Sequence, residues 1–139
     1  MKDKVFIDTN IIIYGYSVTE PKKQKVAEKI VQSGTVFIST QVIQEISNVL
    51  SKKFKLNWTE IIMAISEISA SYSVVVNTPD SIIGACKIAN RYKYSFYDSL
   101  IIASALKSNC KILYTEDLQH NQLIENKLRI INPFKISLP

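Results

Sequence analysis

Val5-Phe6-Ile7-Asp8-Thr9-Asn10-Ile11-Ile12-Ile13-Tyr14 is the stretch on which the fold turns. Three apolar residues run directly into an acid, then Thr and Asn, before the apolar run resumes. A short continuous apolar run reads as a strand buried on both faces. Asp8 stands at its carboxyl end, and Asn10 with the run behind it opens a helical turn. In open α/β sheets, ligands bind beyond the carboxyl ends of the strands, where strand order reverses. Asp8 is therefore the residue around which other functional acids are sought.

Outward from that strand, the chain alternates. After a turn over Ile11–Tyr16, Glu20-Pro21 marks a helix start, and Val26, Ala27, Ile30 and Val31 recur at helical spacing up to Gly34, a C-cap. Val36–Ile38 is a second strand. Ser39 or Thr40 caps a helix with positions 42, 43, 46, 49 and 50 on one face, closed by Lys52, Lys53 and Lys55. Asn57-Trp58-Thr59-Glu60 has the form of a capping box for a helix through Ser71, and Val74–Val76 is a third strand. Thr78-Pro79 starts a helix to Tyr92, and Ser95–Asp98 starts a nearly all-apolar one through Leu106. Lys111–Tyr114 and Leu128–Ile131 are strands four and five. With no repeat, linker or low-complexity segment, the pattern predicts one domain over residues 1–139: an α/β fold with a parallel sheet between helices.

Composition agrees with a folded globular chain of 139 residues, 47% hydrophobic and 21% charged. No apolar stretch approaches the ~18 residues of a membrane span. Asp8 interrupts the only candidate signal core, so a cytoplasmic location without membrane association is expected. Cys86 and Cys110 lack ligand spacing and are expected to be buried free thiols. The net charge of +5 rests on fifteen lysines against two arginines, Arg91 and Arg129. Ammonium groups suit sequence-independent phosphate contacts, and Arg suits bidentate base reading. A solvated basic surface serving solubility explains the same surplus.

Of twelve acids, most fall on solvated helix faces. Asp8 and Asp117 follow strands one and four, so both face one crevice if those strands are neighbours. Glu45 lies in the first turns of the helix after strand two and borders its apolar face. Asp98 opens the most apolar helix. Helices after parallel strands begin at the same sheet edge, which brings all four acids together. Two like charges ~4 Å apart cost about 4 kcal/mol at an effective dielectric of about 20. A divalent cation removes that penalty, and oxygen ligands select Mg²⁺ or Mn²⁺ over zinc. Such an ion generates a nucleophile from water, the chemistry of phosphodiester hydrolysis. Each acid also has a structural use: Asp8 and Asp117 as caps, Asp98 in a capping box with Ser95, Glu45 as a rim residue.

Phe6-Ile7-Asp8-Thr9-Asn10, Ser39–Glu45, Ser95–Ile101 and Leu113–His120 together resemble the motifs of the PIN-domain family, in that family's order. The likeness is to the toxin ribonucleases of toxin–antitoxin pairs. It implies a Rossmann-like three-layer α/β/α sandwich with a five-stranded parallel sheet. It also implies Mg²⁺- or Mn²⁺-dependent cleavage of single-stranded RNA, an antitoxin protein as partner, and commonly a homodimer. By position, Asp8, Glu45, Asp98 and Asp117 would be the catalytic, metal-binding acids, supported by Asn10 and Thr115. Glu116 ranks below Asp117, since adjacent residues at a strand end point to opposite sides. His120 is a candidate general base, ranked below a plain surface role. The family often has Gly after this His, where Asn121 stands here.

Rival readings fare less well. A catalytically silent binding module on the same fold would not need all four acids. Dehalogenase-like phosphoaspartyl chemistry would want an acid where Asn10 stands, and a receiver domain would want a Lys ending a late strand. With only Gly15, Gly34 and Gly84, no dinucleotide-binding loop can be assembled. Lys22, Lys23 and Lys25, or Lys52, Lys53 and Lys55, would guide an RNA backbone. The apolar run Ile61–Ile68 is a candidate partner or dimer surface, with core packing as its alternative.

Overall fold

The computed structural model describes residues 3–138. Strands β1 (Lys4–Ile7), β2 (Thr35–Ser39), β3 (Ser73–Val75), β4 (Ile112–Tyr114), β5 (Leu123–Ile124) and β6 (Leu128–Ile131) form one sheet. Its order is β3-β2-β1-β4-β6-β5. All neighbours are parallel except β5 and β6. Strand order reverses between β1 and β4, which pair through Phe6 with Leu113 and Ile7 with Tyr114. The switch point therefore lies directly beyond Ile7.

Among the described residues, six α-helices flank the sheet: α1 (Thr9–Tyr16), α2 (Pro21–Gln32), α3 (Thr40–Lys52), α4 (Trp58–Ser71), α5 (Pro79–Tyr92) and α6 (Phe96–Lys107). Helices α1 to α4 pack as one group and α5 against α6 as another, which gives the α/β/α layering. The central strand explains its own composition: Phe6 and Ile7 are fully buried, because helices cover both faces. Helix α6 is buried from Ser99 through Ala105, as its apolar sequence requires.

Local capping chemistry sets most boundaries. Asn57 and Glu60 form the reciprocal box at α4, and Thr78 with Ser81 does so at α5. Four expectations are corrected. The segment after Asp8 is a two-turn helix, α1, rather than a turn. Gly34 is not a left-handed cap: α2 ends at Gln32, and Ser33 stays right-handed while its Oγ donates to the Ile30 carbonyl at 2.7 Å. The sheet has a sixth, antiparallel strand, β5. Its hairpin turns through Glu125 and Asn126, both left-handed at φ 52° and 56°, with Lys127 N donating to Ile124 O at 3.0 Å. Finally, Cys110 is buried as expected, but Cys86 is exposed. Helix α5 buries the stripe Ser81, Ala85 and Ile88, which turns its neighbour outward. Burial pushes the Cys110 thiol up to about 12. Among the described residues, no helix is long and apolar enough to cross a membrane.

Candidate active site

At the switch point the ends of β1 and β4 and the first turns of α1, α3 and α6 enclose a cavity of about 140 Å³. Asp8, Asn10, Glu45, Asp98 and Asp117 line it, together with Thr9, Gln41 and Tyr97, and no basic residue does. The acids arrive from four separate elements. Asp8 caps α1, its Oδ1 accepting from Thr9 N at 2.7 Å, while its backbone N–H is fixed on Tyr114 O at 3.0 Å. Its other oxygen accepts from Thr115 Oγ1 at 2.8 Å. That same hydroxyl oxygen accepts from Asp117 N at 3.2 Å, so Thr115 ties the two strand-end acids together.

Asp117 accepts from Asn10 Nδ2 at 3.2 Å. Glu45 stands at the rim with its carboxyl turned partly into the cavity, where Thr9 Oγ1 donates to its Oε1 at 3.2 Å. Asp98 sits on the first turn of α6, where its N–H donates to Ser95 Oγ at 3.3 Å. The reciprocal half of a capping box is not formed at this helix, so the Asp98 carboxylate is not used as a cap.

Electrostatics follow from that enclosure. Burial pushes the Asp8 carboxyl up to about 6, against the lowering effect of the Thr115 and Thr9 hydrogen bonds, and the Glu45 and Asp117 charges add to the rise. Burial also raises Glu45, with Asp98 and Asp117 adding repulsion and Thr9 and Gln41 opposing it. Asp117 is raised by burial, then by Glu116 and Asp98, with Asn10 and Lys23 opposing. An all-oxygen set of mutually repelling acids, with no cation in its lining, suits a hard divalent ion. Among the described residues, no three His, Cys, Asp or Glu side chains are grouped closely enough to hold a metal ion together.

Over residues 5–125 the chain matches the PIN domain family. It belongs to that family. This PIN domain also resembles solved structures from bacteria. A toxin–antitoxin complex from Klebsiella pneumoniae superposes with a TM-score of 0.71 at 21% identity, over 95% of this chain and 99% of that one. The VapC20 toxin of Mycobacterium tuberculosis, described as cleaving the sarcin–ricin loop, gives 0.67 at 21% identity, over 81% and 89% of the two chains. VapBC2 of Rickettsia felis, bound to a promoter DNA fragment, gives 0.64 at 18% identity, over 93% and 99%. At such identities the likeness speaks to the fold. Among curated proteins, none matches the chain.

Two candidates of the PIN domain stand apart from the cavity. Glu116 is held on the other side of the β4 end, accepting from Lys23 Nζ at 3.1 Å and from the Tyr14 hydroxyl. His120 Nδ1 accepts from Asn132 N at 2.9 Å, pinning the loop after β4 to the end of β6. Thr9, Gln41 and Tyr97 are the polar lining residues to which the motifs gave no role. Gln41 is almost fully buried and its Nε2 donates to the Tyr97 carbonyl at 3.1 Å.

Proposed function

We propose that this PIN domain is a Mg²⁺- or Mn²⁺-dependent endoribonuclease acting on single-stranded RNA, as the toxin of a toxin–antitoxin pair. It would act as one domain over residues 1–139, in the cytoplasm and as a homodimer. The observation that carries the reading is the cavity itself: four acids from four elements around about 140 Å³, with no lining cation. A bound divalent ion supplies activation of water and neutralises charge on the scissile phosphate. Asp8, Glu45, Asp98 and Asp117 would hold the ion, directly or through its waters. Asn10 and Thr115 orient the carboxylates they touch, and an acid of the set would accept the proton released by the attacking water.

Surface charge supplies the approach. Lys22, Lys25, Lys52, Lys53 and Lys55 are exposed and free to meet phosphates. Lys23 is not, because it is bound to Glu116. An apolar groove of about 460 Å³ lined by Ile13, Tyr16, Leu50, Phe54 and Met63 is the proposed seat of the antitoxin. Within the run Ile61–Ile68, Ile61 and Ile68 belong to the core, and Ile62 and Met63 face outward beside that groove.

The test is cleavage of single-stranded RNA with Mn²⁺. Activity should vanish with a chelator and return with added metal, and Asp8→Asn should abolish it in a folded protein. Undiminished cleavage by that variant would refute the assignment. RNA binding without cleavage under several metals would reduce the protein to a binding module.

A further inference from the structure

Tyr97 is 67% exposed, yet it lines the acid cavity and is the one aromatic residue that does so among the described residues. At this rim the ring presents an open aromatic face to whatever enters the cavity. Its main chain is fixed while its ring is left open. The carbonyl is held by the buried Gln41 amide at 3.1 Å, and the turn is capped by Ser95. Phe96 meets the ring edge-on, with centroids 5.2 Å apart and planes at 76°, which braces one side of it. Other strongly exposed apolar side chains, among them Trp58, Ile62 and Met63 of α4, do not line the cavity.

We propose that Tyr97, braced by Phe96, is a stacking platform for one unpaired nucleobase of the RNA, next to the phosphodiester held at the carboxylates. This rests on the nuclease reading and adds a substrate subsite to it. Aromatic faces take any base with little sequence preference. A base can reach the ring only when it is unstacked and unpaired, so the platform selects single strands and rejects duplex. Because Tyr97 and Asp98 line the same cavity, the stacked base belongs to a nucleotide flanking the phosphate that is cut. Gln41 serves as a positioning residue, since its amide fixes the backbone from which the ring projects.

The experiment uses Asp8→Asn protein, the variant expected to leave RNA intact, and oligoribonucleotides carrying 2-aminopurine at one position at a time. Quenching is expected at one or two adjacent positions that flank the cleavage site mapped with the parent enzyme. Adding Tyr97→Ala should abolish that quench and weaken binding about tenfold, as loss of one stacked base does. Tyr97→Phe and Tyr97→Trp should retain both. The slope of log Kd against log salt should not change in Tyr97→Ala, because no phosphate contact is lost. A Tyr97→Ala protein that binds and quenches like its parent overturns the proposal and leaves the nuclease standing. Loss of binding in Tyr97→Phe overturns it as well, since the hydroxyl would then be the recognised group. A Tyr97→Ala protein with altered sedimentation and unaltered RNA binding assigns the ring to a protein contact and also overturns it. Absence of RNA binding by the parent protein refutes the nuclease reading itself.

Discussion

Glu116 and Asp117 are adjacent carboxylates just beyond the end of β4, yet their surroundings are opposite. Glu116 turns toward α2, where Lys23 Nζ lies 3.1 Å from its carboxylate. That ammonium also lies over the rings of Tyr14 and Phe134, at 4.6 and 5.1 Å, and the two rings meet edge-on at 5.4 Å. The Tyr14 and Glu116 partners in turn raise the Lys23 pKa above its ordinary value. Asp117 turns the other way and finds one neutral donor, Asn10, amid further acids. A carboxylate given a fixed counter-charge becomes a structural tie. One that shares a cavity with other acids, and no cation, keeps its charge for a ligand to neutralise.

That contrast is open to attack in order of expected effect. Asp117→Asn should lower kcat/KM by more than the roughly 10–100-fold typical of losing an outer-shell partner of a metal site. Glu116→Gln should stay within a few-fold. Equal losses in the two variants, measured on the same RNA, would erase the distinction. Thr115→Val, which removes the hydroxyl shared by Asp8 and Asp117, should weaken Mn²⁺ binding by roughly 10–100-fold in calorimetry. Unchanged affinity would show that the shared hydroxyl does not organise the acids.

A pH experiment sharpens the same point. Asp8 has an ordinary pKa of 3.8 and is pushed to about 6 in the fold, so between these values the native state binds more protons than the unfolded chain. Stability of the metal-free protein should therefore fall as pH rises through that window and level off above it. The shift corresponds to at most about 3 kcal/mol. Asp8→Asn should remove most of this fall, making the inactive variant the more stable one above pH 6. Urea unfolding in chelator on both sides of the window measures it, and identical pH profiles for the two proteins would refute burial of an uncompensated charge. The smallest effect is expected of Lys23→Met. A partly exposed ion pair contributes roughly 1 kcal/mol or less, so stability should drop slightly. Activity should fall more than stability does, because Glu116 is freed to compete beside Asp117.

Much of this architecture was legible because its signals are local. A buried tripeptide ending in Asp8 announces β1, and Asn57–Glu60 and Thr78–Ser81 write their own caps. The edge shared by Asp8, Glu45, Asp98 and Asp117 follows once each is placed at a strand end or a helix start. What escaped depends on distance or brevity. The bonds of Thr9 to Glu45 and of Gln41 to Tyr97 span 36 and 56 residues, which no local pattern encodes. Strand β5 has two residues, too few for any period, and its turn uses Glu125-Asn126 where glycine is the usual cue. Cys86 was misplaced for a plainer reason: the Ser81, Ala85, Ile88 stripe already leaves it outside.

The unequal cysteines make the protein its own chemical clock. At mild alkaline pH a thiol reagent meets Cys86 at once. Cys110, 2% exposed and needing a pH near 12 to ionise, waits until the junction of α6 and β4 opens. Native protein should thus show one fast thiol and one slow one, and the slow rate counts the openings of the segment that carries β4 to the acids. Added Mn²⁺ should slow that second reaction alone, so ligand binding becomes visible in a protein to which no label, tag or substitution has been introduced.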